Sequence, residues 1–83
     1  MITSSDINWL KSIIPNYFPH YFDYRVEREG SSVVVTIYSD YTVLWFRECR
    51  HELCDAVRKT GRNDLYNEIQ VFQRRSKTGE EVK

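Results

Sequence analysis

Residues 40–61, DYTVLWFRECRHELCDAVRKTG, constrain this chain most. At about 100° per residue they form an amphipathic helix with three faces. Thr42, Trp45, Phe46, Cys49, Leu53, Ala56 and Val57 gather on one broad apolar stripe, spaced by threes and fours. Arg47, His51, Cys54 and Arg58 fall on a second face with Arg50 beside them, and Glu48, Glu52, Asp55 and Lys59 make a third, mostly acidic one. Ser39 or Asp40 can cap the start by accepting a bond from a free backbone N–H. Gly61 suits the left-handed position just past the end. A stripe this wide needs a sheet or other helices to cover it.

The rest of the chain can supply that cover. Thr3 or Ser4 can cap a first helix, with Asp6 in its first turn. Ile7, Leu10, Ile13 and Ile14 recur at helical spacing, with Trp9 flanking them, and Pro15 should stop the helix near Ile14. Residues 16–21, NYFPHY, read equally as a loop or as one turn of a second helix. From Phe22 the period becomes two: Phe22, Tyr24 and Val26 face one way, Asp23, Arg25 and Glu27 the other. Glu29-Gly30-Ser31 supplies turn chemistry for a hairpin, and SVVVTIY at 32–38 makes the returning strand. After the central helix, residues 62–64 read as a loop and 65–67 as ambiguous; EIQVFQR at 68–74 reads as a third strand. The expected fold is α+β: a three-stranded sheet, built from a hairpin and a third strand, with the long central helix and the N-terminal helix packed on one face. A parallel third strand would make the helix a crossover. Residues 1–75 read as a single domain, and the polar residues 76–83 as a flexible tail.

Charge and composition narrow the function. The chain has 83 residues and a formal net charge of zero, so it lacks the general attraction to phosphate backbone on which most nucleic-acid binders rely. No apolar run approaches a membrane span and no stretch reads as a signal peptide, so the expected location is cytoplasmic with no membrane partner. Cys49 and Cys54 lie five helical residues apart, about 8–9 Å between Cα atoms and on different faces, which is beyond disulfide reach. Two reduced thiols fit a reducing compartment.

Three sets of residues are candidates for function. His51 lies one helical turn from Glu48 and from Asp55, but the two carboxylates belong to a separate face, so neither a metal site nor a catalytic group is expected, and no cofactor. Arg47, Arg50, Arg58 and Arg62, with His51, could contact phosphate or an acidic partner; a solvated helix surface balanced by its acidic neighbour is the favoured reading, because the net charge is zero. The aromatic segment is the third. Trp9, Tyr17, Phe18 and Tyr21 exceed what one small core needs, so they are the expected protein-binding anchors, or the contact of a homodimer.

Element order and four stretches carry a resemblance over residues 6–74. INWLKSII holds a Trp in the first helix, VVVTIYSD ends the hairpin, YTVLWF opens the central helix, and EIQVFQR closes the chain. In layout this resembles the KH-like fold group, nearest to the N-terminal domain of the bacterial replication initiator DnaA and to the DciA family of helicase-loading proteins. The DnaA domain carries a proline–asparagine pair before its long helix, where this chain has Ser39-Asp40, and Trp45 is shifted by one residue. The G-x-x-G loop of nucleic-acid-binding KH domains is absent; Gly61-Arg62-Asn63-Asp64 lacks the second glycine. The resemblance therefore implies the protein-binding branch, whose members recruit replicative helicase. Together these features predict a non-enzymatic interaction module: a regulator, adaptor or phage-encoded inhibitor acting on replication proteins. The competing expectation is a nucleic-acid binder using the basic helix face.

Overall fold

The computed structural model describes residues 2–75; the tail expected at 76–83 lies outside them. The elements are α1 (Ser4–Tyr17), β1 (Asp23–Glu29), β2 (Ser32–Tyr38), α2 (Val43–Lys59), α3 (Asn63–Glu68) and β3 (Ile69–Arg74). β2 is the central strand, antiparallel to β1 and parallel to β3. The register sets Val26, Val35 and Val71 in one row across the sheet. Val33, Val35 and Ile37 are fully buried and share one core with Leu10, Ile14, Phe18, Leu53, Val57 and Leu65. Alternation along β2 thus puts Val33, Val35 and Ile37 under the helices. Gly30 and Gly61 adopt φ of 61° and 82°, the left-handed geometry that the hairpin turn and the end of α2 require.

α1 runs through Pro15 to Tyr17, three residues past the expected stop. Proline has no N–H, so the carbonyl of Lys11 loses its helical donor. The Tyr24 hydroxyl donates to that carbonyl at 3.0 Å and replaces the missing bond. The segment left open at 16–21 therefore begins as the end of α1 and continues as irregular chain.

α2 starts later than expected. Thr42, assigned to the apolar stripe, is the cap, and its hydroxyl accepts from the Trp45 N–H at 3.2 Å; neither Ser39 nor Asp40 caps. Ser39 is buried instead, and its hydroxyl donates to Gln73 Oε1 at 2.7 Å. The same Oε1 accepts from the Tyr41 N–H at 2.8 Å, while Gln73 Nε2 donates to the Tyr41 carbonyl at 3.1 Å. One amide thereby ties the β2–α2 linker to the end of β3. It seats Tyr41 in the core, with its ring edge-on to Phe18 and Trp45 at centroid distances of 6.0 and 4.7 Å. Cys49, Leu53 and Val57 occupy the buried stripe as their spacing predicts, whereas Trp45 is exposed. Phe22 also departs from expectation: it precedes β1 and is exposed.

α3 occupies residues read as loop and ambiguous chain and also Glu68, expected to open the third strand, and Leu65 is its buried contact. The turn before it is pinned from a distance. Asp6 closes a capping box with Thr3 and also receives both terminal nitrogens of Arg62, at 2.7 and 3.0 Å. These bonds, the Arg62 guanidinium first and the Thr3 N–H next, hold the Asp6 carboxyl at about 2. A carboxylate depressed in the folded state contributes stability above its unfolded value of about 4, and that contribution is lost as pH falls toward 2. Asp6→Asn is expected to cost about 1–2 kcal/mol at neutral pH. In melts at stepped pH, the wild type should lose melting temperature between about pH 4 and 2 more steeply than the variant. Parallel pH profiles would remove Asp6 from this role.

Candidate functional site

The four predicted aromatic anchors are not brought together. Phe18 is fully buried, edge-on to Tyr41 and 5.6 Å from the Phe46 ring, and so is a core residue rather than a contact residue. Trp9 and Tyr17 are partly buried against the core. Tyr21 alone is exposed, and its ring stands edge-on to Tyr24 at 5.2 Å. Phe18 lies inside because Tyr41 and Phe46 complete a pocket of rings around it; the ring count alone does not reveal that.

The basic residues are divided in the same way. Arg58 donates to Asp55 at 2.7 Å, and Arg62 is held between Asp6 and Asp64. Each carboxylate is shifted below its ordinary range by its arginine. These pairs neutralise two of the four arginines that a phosphate contact would use, leaving Arg47 and Arg50 exposed on α2. His51 is exposed, and among the described residues no three His, Cys, Asp or Glu side chains converge on a metal-sized point. Burial pushes the Cys49 and Cys54 thiols up, so both stay protonated and unreactive at neutral pH.

Two surfaces stand out. The first is the opening turn of α2. Val43, Leu44 and Trp45 are 69%, 64% and 42% exposed. The His20 ring stands edge-on to Trp45 at 5.6 Å, which joins this turn to the exposed chain at His20 and Tyr21. Tyr41 supports the inner side of the Trp45 ring, so the indole is held in place although it faces solvent. Sequence reasoning did not identify Val43 and Leu44. The available signal was two apolar residues off the buried stripe: Val43 precedes Arg47 by one turn, and Leu44 precedes Glu48. The second surface is an open groove of about 380 Å³ between α2 and β3, lined by Arg50, His51, Cys54, Tyr66, Ile69, Gln70, Val71 and Phe72. Among the described residues, no helix is long and apolar enough to cross a membrane. Comparison with family models, curated proteins and solved structures gives no match.

Proposed function

We propose that this chain is a non-enzymatic protein-interaction module that engages an apolar patch on a partner through the first turn of α2. The observation that carries the reading is the run Val43-Leu44-Trp45, exposed on a capped helix start and continued by His20 and Tyr21. Apolar side chains on a helix normally face the core, and an exposed group of them marks a contact site. Trp and Tyr give such a site large contact area at small entropic cost. The resemblance in layout to helicase-recruiting domains supports a replication protein as the partner and a regulatory, adaptor or inhibitory role. A second copy of the chain is the other partner the surface could take.

Val43→Glu with Leu44→Glu tests this without disturbing the fold. Both side chains are exposed, and acidic residues in a first helical turn favour the helix dipole. The variant should melt like the wild type. Used as bait in nuclease-treated lysate, the wild type should retain proteins that the variant binds at least about tenfold more weakly. Loss of a wild-type dimer in sedimentation would instead identify the chain itself as the partner. Identical captured proteins and identical mass for both forms would overturn the reading.

A further inference from the structure

We infer that the free edge of β3 is a second binding surface, which takes a short extended segment of another protein as an added fourth strand, with acidic residues of that segment facing α2. The inference stands apart from the first-turn reading because it uses different residues. β1 and β3 are the two edges of the sheet. β1 reads DYRVERE, and charge at that density blunts an edge against further pairing. β3 reads IQVFQR, with a charge only at its last residue.

The ladder shows which backbone groups are available. The Arg74 carbonyl accepts from the Ser39 N–H at 2.9 Å, so Arg74 turns its backbone toward β2. In a parallel pair successive residues alternate, so Phe72 and Gln70 also face β2, while Gln73, Val71 and Ile69 face outward. The Ile69 N–H already serves α3 by donating to the Leu65 carbonyl. The N–H and C=O of Val71 and Gln73 remain, with no partner among the described residues. Their spacing of two suits one antiparallel or parallel strand.

The groove beside this edge specifies the occupant. Side chains of an added strand alternate between the two faces, and the exposed Phe72 offers an apolar contact to those that point away from α2. The helix wall of the groove carries Arg50 and His51, and none of the residues that line the groove is a carboxylate. An added strand with acidic residues on its helix side would meet that wall with opposite charge. A second copy of β3 would bring its own α2, with a second Arg50, to the same place, so a foreign acidic-apolar strand fits better.

The test begins with random nonapeptides displayed on phage and selected on the full chain. Recovered sequences should alternate β-branched or aromatic residues with Asp or Glu. A synthetic peptide of the strongest clone, titrated into ¹⁵N-labelled protein, should shift the Val71 and Gln73 amides and slow their exchange with solvent. Arg50→Glu, an exposed change that leaves the fold intact, should weaken it at least tenfold, and exchanging the peptide's acidic residues for lysine should restore binding to that variant. The Val43→Glu and Leu44→Glu form should bind as the wild type does, which separates this surface from the first turn of α2. The inference is overturned by the absence of any peptide binder down to roughly millimolar affinity. It is equally overturned by binders that leave the Val71 and Gln73 amides unmoved or ignore Arg50→Glu, or by a single-stranded oligonucleotide that shifts those amides where no peptide does.

Discussion

Phe18→Ala is expected to cost the domain about 3–5 kcal/mol of folding stability. The side chain is fully buried, and its ring packs on Tyr41 and Phe46 at centroid distances of 6.0 and 5.6 Å. Removing it forfeits the transfer energy of the ring and leaves a cavity that α1, α2 and the linker cannot all collapse into. A domain of this length typically has about 4–12 kcal/mol in total, so the variant should lose a large share of its stability. Urea denaturation followed by far-UV circular dichroism measures the loss. A cost below about 1 kcal/mol would mean that Phe18 does not occupy the core and would return it to the candidate contact residues.

Gln73→Ala should cost about 2–4 kcal/mol, although Gln73 is neither apolar nor fully buried. Its amide accepts from the Ser39 hydroxyl and the Tyr41 N–H and donates to the Tyr41 carbonyl. Truncation leaves the buried Ser39 hydroxyl and the Tyr41 N–H without those acceptors, and an unpaired buried polar group bears its full desolvation penalty. Arg75 also donates to the Tyr41 carbonyl, at 2.8 Å, so that oxygen stays satisfied. Gln73→Glu keeps both acceptor contacts and should recover part of the loss in the same denaturation assay. Equal stability of Gln73→Ala and wild type within about 0.5 kcal/mol would show that water replaces the amide at no cost.

The elements with strong periodicity were readable from the chain. Cys49, Leu53 and Val57 line the buried side of α2, and Val33, Val35 and Ile37 the buried side of β2, as their spacing of three to four and of two requires. The unreadable features depend on partners far away in sequence. Ser39, Asp40 and Thr42 are chemically equivalent caps; the choice falls on Thr42 because Gln73 holds Ser39 and Tyr41 in the linker. Pro15 disfavours a helix locally, and the Tyr24 hydroxyl answers the carbonyl it strands. α3 is six residues long with one buried contact, too short to show a period. Of the rings expected to exceed the core, Tyr21 is exposed, Trp9 and Tyr17 are partly buried, and Phe18 is inside. Phe18 is enclosed by Tyr41, a lone aromatic in a linker that no periodic pattern marks, and the exposed apolar surface lies at Val43 and Leu44.

The two seams of the sheet close over very different lengths of chain. Along the antiparallel seam the nearest partners, Glu29 and Ser32, are separated only by the turn. Along the parallel seam each partner, from Val33 with Ile69 to Tyr38 with Arg74, lies 36 positions further on. By the logarithmic dependence of closure entropy on loop length, the second seam costs about 2 kcal/mol more to draw together. It cannot form until the intervening chain, which is α2 and α3, has folded back over the sheet. The hairpin seam needs only its own turn. A change that loosens α2 therefore reaches the β2–β3 seam first and the hairpin last.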